Sequence, residues 1–442
     1  MLPVLGRIPA AWKMTTLASV LEGGTRNGVY KPKQYHGTGA RIVNMGELFA
    51  HPRLRAIGMK RIELTYDELR RFEIRPGDLL FARRSLVAEG AGRCTLVCEV
   101  SEPTVFESSI IRARPNPHFV DSRYLFYLFR SPYGDYALDT IRRQVAVAGI
   151  TGRDLTGLML PIPPIEEQRS IADTLSALDD KIELNRLMSR TLESIVRAIF
   201  RSWFVDFDPV LKTMNGGEVD LPPDVAGLFP KTMEDSRIGA VPAGWPVAAI
   251  GDAVKVLGGS TPSTREPSFW GGDICFATPR DMAQLTAPAL LSTERRITPL
   301  GAATISSGLL PVGAVLMSSR APVGYLAITE VPVCVNQGFI AMLCEPRLPA
   351  LYVLNWAREN MNAIVANANG TTFLEISKRN FRPLPILLPP RAVADAFGEV
   401  VSPLHQRIVG ALRENASLSR LRDQLLPRLL NGSLSSNRAP YD

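Results

Sequence analysis

The side chains of this chain best suited to chemistry are donors and acceptors that fit the edges of bases and the oxygens of phosphates, gathered on short polar segments. One group is Arg26, Lys31 and Lys33, then Arg83 and Arg84, then Arg142, Arg143 and Gln144, then Arg153. A second, far along the chain, is Ser260, Thr261, Ser263 and Arg265, then Arg320, Asn336 and Gln337, and finally Lys378 and Arg379. Arginine can grip guanine with two hydrogen bonds and Asn or Gln can do so with adenine, each pairing discriminating by about 1–3 kcal/mol. Every one of these types also has a plain structural use. Ser, Thr and Asn build turns, Arg320 suits an ion pair, and Asn336 with Gln337 suits the satisfaction of backbone groups.

Catalytic patterns are missing. The proline pairs Pro163-Pro164, Pro222-Pro223 and Pro389-Pro390 do not sit in the Asp- or Asn-Pro-Pro-aromatic tetrad that an amino-methyltransferase would carry. Gly258-Gly259 is not followed by Gly-Lys-Ser/Thr, so it is no phosphate loop. Asp206 and Asp208 fit the capping of a helix end before Pro209 better than a metal pair. Five cysteines, an odd number, do not make a disulfide framework. Cys94 and Cys98 have no nearby His to complete a zinc site, so no structural metal and a reducing compartment are expected. No catalytic residue and no cofactor is assigned to this chain. A stand-alone DNA methyltransferase or nuclease, and a protein-binding scaffold without a DNA role, stay as competing readings.

What positions these segments is a duplication. The 442 residues are too many for one small core, and self-similarity runs through them. Ile8-Pro9-Ala10-Ala11-Trp12 recurs as Val241-Pro242-Ala243-Gly244-Trp245, and Arg75-Pro76-Gly77-Asp78-Leu79-Leu80 as Pro311-Val312-Gly313-Ala314-Val315-Leu316. Thr151-Gly152-Arg153-Asp154-Leu155 matches Ser377-Lys378-Arg379-Asn380-Phe381. Each copy begins with a mixed, strand-rich region, with runs predicted at 78–82, 105–113, 314–317 and 331–343. Trp12 and Trp245 read as core anchors.

Each copy then ends in a long helix. Ile171, Leu175, Leu178, Ile182, Leu192, Val196 and Ile199 follow alternating steps of four and three, and Phe397, Val401, Leu404, Ile408, Leu418 and Leu425 continue the same register in the second copy. Asn185, Ser189 and Asn415 interrupt the seams, as expected where a polar contact fixes pairing. The first helix, about 165–204, would run roughly 60 Å. Pro403, Gly410 and Pro427 predict a second helix either kinked or divided.

Net charge is +7 with a pI near 9.2. Residues 1–150 hold 22 Lys and Arg against 14 Asp and Glu, while 151–240 hold 10 against 15. A basic segment followed by an acidic one suggests separate partners, one of them a polyanion. The start, Met1 to Pro9, lacks a charged stretch followed by an apolar one, so a cytoplasmic protein is expected. The longest uncharged run, 300–319, contains Pro311 and reads as strand and turn rather than a bilayer helix.

The order of these motifs resembles a known family. Gly258-Gly259-Ser260-Thr261-Pro262-Ser263, Phe269-Trp270-Gly271-Gly272-Asp273-Ile274, Ser318-Ser319-Arg320-Ala321-Pro322-Val323-Gly324 and Asn336-Gln337-Gly338-Phe339 look like the successive signatures of a target recognition domain. The stretch Leu160-Pro161-Ile162-Pro163-Pro164-Ile165-Glu166-Glu167-Gln168-Arg169 looks like the start of the helical region in the DNA specificity subunits of type I restriction-modification systems. The resemblance implies an α+β fold, two mixed α/β recognition domains in pseudo-twofold arrangement joined by two long antiparallel coiled-coil helices. It places recognition domains at 1–160 and 241–386, spacer helices at 161–208 and 387–432, a linker at 209–240 and a tail at 433–442. It further implies double-stranded DNA with a split target, methyltransferase subunits, two of them, restriction subunits and no membrane. S-adenosylmethionine, ATP and Mg would belong to those partners. In the first copy Gly23-Gly24 keeps the glycine pair without the following Pro, and Phe106-Glu107-Ser108-Ser109 stands where Asn-Gln-Gly is expected.

Overall fold

A computed structural model describes residues 9–143, 148–344, 348–370, 374–432 and 434. Its contacts divide the chain into two units, Met1–Ile182 with Ser417–Asp442, and Glu183–Ala416.

In the first unit, β1 (Leu21–Asn27), β2 (Arg53–Leu54), β3 (Leu79–Ala82), β4 (Cys94–Val97) and β5 (Ile110–Pro115) form a sheet ordered β1-β5-β3-β4-β2. In the second, β6 (Val254–Leu257), β7 (Ala289–Leu290), β8 (Val315–Ser318), β9 (Leu326–Thr329) and β10 (Phe339–Cys344) repeat that order as β6-β10-β8-β9-β7. Strand directions repeat as well. The last pair, β4 with β2 or β9 with β7, is parallel and the other ladders are antiparallel. Each unit adds a three-stranded sheet, His36–Val43 between Lys60–Ile62 and Thr104–Phe106, or Trp270–Ala277 between Arg295–Ile297 and Val333–Val335.

The central strand of each five-stranded sheet is buried on both faces, which explains its unbroken apolar sequence. Leu79 and Phe81 point into a core with Tyr124, Leu125 and Leu128 of the helix Ser122–Phe129. Leu80 and Ala82 point the other way, against Val43, Leu48 and Phe106. The same division places Val315 and Met317 with Tyr352, and Ala314 and Leu316 with Ala277 and Val335. Trp12 donates from Nε1 to Glu167 Oε2 at 3.1 Å, and Trp245 is buried among Phe204, Phe207 and Phe229.

Two predicted runs divide. Instead of one strand over 105–113, Thr104–Phe106 and β5 belong to different sheets, and 331–343 splits likewise into Val333–Val335 and β10. A turn separates the halves each time. Ile110 N donates to Glu107 O at 3.0 Å, and Gly338 N donates to Asn336 Oδ1 at 2.9 Å. The uncharged run at 300–319 opens in a short helix, Pro299–Ala303, before reaching β8.

The long helices are Ile165–Phe204 and Arg391–Leu430. The second is undivided; Pro403 and Gly410 lie on its exposed side, and Pro427 is half-buried near its end. In the first unit Ile171, Ala172 and Leu175 share a core with Leu426, Leu429 and Leu430. In the second, Val196, Phe200 and Phe204 share one with Val393, Phe397 and Val401. Every apolar seam residue named above is buried or half-buried. Within the second unit the pairing is antiparallel, and its polar positions meet: Asn185 Nδ2 donates to Asn415 Oδ1 at 3.0 Å and to Glu414 Oε2 at 2.8 Å, while Ser189 Oγ donates to Asn185 O at 2.8 Å.

Residues 209–240 carry structure of their own. The helices Asp208–Met214 and Pro223–Ala226 precede a hairpin of Met233–Ser236 with Gly239–Pro242, and Val210 and Phe229 are buried in the second unit's core. The first long helix stops before Phe207, which takes a left-handed φ of 54°, and Asp208 then opens the next helix. Among the described residues there is no group of three or more His, Cys, Asp or Glu that could hold a metal ion. No helix of those residues is long and apolar enough to cross a membrane.

Candidate nucleic-acid interface

In the second unit the polar residues converge where β6 leaves its sheet. A Cβ on Gly259 would lie 1.7 Å from Val335 O, so only glycine lets the loop rest on that segment. The contact brings Thr261 Oγ1 to Gln337 Oε1, a donated hydrogen bond of 2.7 Å. Lys378 lies beside Gly258, its Nζ 3.1 Å from where a Cβ would stand. Ser319 N donates to Gly338 O at 2.8 Å and Ile376 N to Ser319 O at 3.0 Å, which ties the Arg320 and Lys378 segments to the same place. Ser260 is half-buried within the loop, and Arg379 is exposed beside Lys378 in a short helix capped by Ser377. Farther along the loop, Ser263 O accepts from Trp270 Nε1 at 3.0 Å and Ser263 Oγ from Arg265 N at 3.3 Å, which leaves the Arg265 side chain exposed.

The structural uses foreseen for two of these residues are realised. Asn336 closes its turn, and Arg320 Nη1 stands 3.6 Å from Glu375 Oε2. Both ion-pair partners remain partly exposed at 38% and 47%, which leaves the guanidinium able to exchange this carboxylate for another anion.

In the first unit the counterpart of Gly259 is Gly28, which corrects the matching of Gly23-Gly24 with Gly258-Gly259. A Cβ on Gly28 would lie 2.2 Å from both Phe106 O and Glu107 O, the same close approach. Strand registers agree, since Arg26 faces Arg112 as Leu257 faces Ala341. Gly23 and Gly24 sit within β1 at φ of +67° and +74°, where the ladder to β5 shifts register between Ala113 and Pro115. The doublets share a composition and not a role.

The remaining first-unit residues are spread around this loop. Lys31 Nζ pairs with Glu68 Oε1 at 2.8 Å and Lys33 is exposed on the following turn. Arg83 Nη1 donates to Ser108 O at 3.4 Å, while Arg84 is exposed. Arg142 donates from Nε to Ala91 O at 2.8 Å and pairs with Asp139, and Arg143 pairs with Asp154 at 2.8 Å. Arg153 is exposed. Gln144 lies outside the described residues.

Arg112, inside the strand-like run 105–113, is a further basic residue beside this loop. It faces Arg26 across an antiparallel ladder, like charges opposed. Burial above all, then Arg114, press its guanidinium down from the ordinary value, with Asp78 opposing and Arg26 and Arg75 adding to the effect. A bound anion would relieve that crowding. The strand alternation of Arg112 and Arg114 was the available signal.

Two copies of one module, each presenting polar and basic loops at equivalent positions with different side chains, define a duplicated recognition protein. The family model described as the type I restriction modification DNA specificity domain matches residues 9–194 and 242–408. The chain belongs to that family, as a specificity subunit with two recognition domains. It is 27% identical over 405 residues to the HindI specificity subunit of Haemophilus influenzae, covering 82% of this chain and 87% of the relative. It is also 21% identical over 437 residues to a putative MjaX specificity subunit of Methanocaldococcus jannaschii, covering 97% and 95%. A crystal structure of a type I restriction-modification system S subunit from M. genitalium shares the fold at a TM-score of 0.57 and 14% identity, covering 96% of both chains.

Proposed function

We propose that each recognition domain reads one half of a split DNA target, that the two long helices set the unread spacing between the halves, and that methylation and cleavage are performed by partner subunits. The observation that carries this reading is the repeated strand order with unlike residues at equivalent loop positions: Glu107 and Ser108 where the second copy has Asn336 and Gln337, Gly152 where it has Lys378. One scaffold with two sets of side chains is suited to two different half-sites.

Two methyltransferase subunits would dock on the helices, with restriction subunits joining the assembly, and S-adenosylmethionine, ATP and Mg would be held by those partners. Supporting this, Leu184, Leu187 and Ile195 form a second apolar stripe on the first long helix, exposed at 60%, 50% and 42%. Such a stripe on a helix whose other face is already packed fits a further helix.

Mapping methylated bases in DNA exposed to the chain with its methyltransferase subunit tests the reading. Exchanging residues 241–380 for those of a homologue should change one half of the methylated target. A change in both halves, or methylation by the purified chain alone, would refute it.

A further inference from the structure

We propose that Leu86 and Val87 form an apolar wedge that enters the DNA duplex at the first domain's half-site and opens one base step there. The inference rests on the DNA-reading function proposed for that domain.

Leu86 is 92% exposed and Val87 61%, and no other large hydrophobic side chain among the described residues is as exposed as Leu86. The pair is not carried on slack chain. Arg84–Ser85 is bonded antiparallel to Ala148–Gly149, Arg83 N donates to Ser109 O at 2.8 Å, and Ile150 N donates to Arg83 O at 3.0 Å. The tip is folded on itself: Ser85 Oγ accepts from Val87 N at 3.2 Å, and Gly90 N donates to Val87 O at 3.1 Å. A Cβ on Gly90 would stand 2.1 Å from Ser85 Oγ, so a side chain at 90 would displace the hydroxyl that closes the tip.

Charge identifies the occupant. Arg83 and Arg84 lead directly into the wedge, and Arg84 is exposed with no ion-pair partner among the described residues. Glu89 is the single acidic residue between 83 and 90. The segment also leaves the end of β3 beside the Ser108 turn, next to the other candidate readers. Apolar side chains that separate stacked base pairs while neighbouring arginines engage the backbone or groove are a known way of kinking a duplex.

The second domain has Pro322 and Val323 at these positions after Arg320, and Val323 is half-buried. The wedge therefore belongs to one half-site only. Unstacking is cheapest at pyrimidine–purine steps, so Leu86 would contribute sequence preference without a hydrogen bond to any base.

The test uses the full chain assembled with its methyltransferase subunits. Target duplexes carry 2-aminopurine singly at each position of the first half-site and one pair beyond, the methylated adenine excepted. Fluorescence should rise several-fold at one step. Leu86→Ser should abolish the rise and weaken binding by about tenfold or more, given the apolar area lost, while Leu86→Met retains it. Thermal unfolding should not change, since the side chain is exposed. Absence of any bright position with the unaltered chain, or a rise that survives Leu86→Ser, overturns the wedge. Leu86→Ser that loses the methyltransferase subunits but keeps the fluorescence assigns the tip to a protein contact and overturns it equally. A complex that methylates no split target at all would instead overturn the domain reading, so the two failures are distinguishable.

Discussion

Asp78→Ala should destabilise the first unit severely, and a second substitution should repair it. Asp78 is almost fully buried and accepts from Arg114 Nε and Nη2 at 2.6 and 2.7 Å and from Arg75 N at 2.8 Å. Removing the carboxylate leaves a largely buried guanidinium without its partner, a loss of about 3–5 kcal/mol. The second copy shows how the same site is built without charge. Ala314 stands where Asp78 does, and Leu343 follows Met342 as Arg114 follows Ala113 in the matched ladders. Replacing a buried pair by fitting apolar groups is often neutral, so Asp78→Ala with Arg114→Leu should return to within about 1 kcal/mol of the unaltered chain. Hydrogen exchange of the β3 amides, read by mass spectrometry, measures this locally. At 1.4 kcal/mol per tenfold, the single variant should exchange at least about a hundredfold faster and the double variant within about tenfold. A double variant as labile as the single one, or a single variant with unchanged exchange, would refute the reasoning.

Asn185→Ala should cost about 2 kcal/mol in chemical denaturation, because two hydrogen bonds in the seam are lost, one of them to a carboxylate. Gly259→Ala and Gly28→Ala should each disable recognition of one half-site, since Cβ atoms at 1.7 and 2.2 Å from carbonyl oxygens force the loops away; methylation that tolerates ambiguity in neither half would contradict this. Seven residues inserted into both long helices add about 10 Å, so the unread spacer in the methylated target should grow by about three base pairs, and an unchanged spacer would rule out the ruler. Hydrogen bonds from Lys31 hold the Glu68 carboxyl below its ordinary value, and those from Arg61 do the same for Glu102. Their stabilisation is present above the unfolded carboxylate value and lost as pH falls through the lower folded value, so melting temperatures measured from neutral pH to about pH 3 should fall less steeply for Lys31→Met with Arg61→Met.

The duplication and the long helices were legible because both leave periodic traces. A seam repeats every three or four residues whatever packs against it, and Pro-x-x-Trp marks the start of each copy. The division of 105–113 and 331–343 was not legible, since a buried strand that changes sheet keeps an apolar composition on both sides of the turn. Gly28 was missed for a related reason. Its role depends on a carbonyl contributed by residues some eighty positions away, and a nearby glycine doublet offered a closer textual match. The polar readers were named from residue type, but their convergence comes from the ladders of β6, β8 and β10 and was invisible in one dimension. Pro403, Gly410 and Pro427 left open a division of the second helix that does not occur, because a proline inside a helix can bend it without ending it.

The Asn185 contact with Asn415 bears on how this chain avoids errors while folding. Two amphipathic rods of equal length can slide past one another in steps of seven residues with little change in apolar burial. A slip of one step would set Asn185, itself buried, against Ile408 or Arg422 and take away both of its present partners, a penalty of about 1–3 kcal/mol where no new partner replaces them. The native alignment is thereby favoured over its nearest neighbours by a polar contact rather than by apolar area.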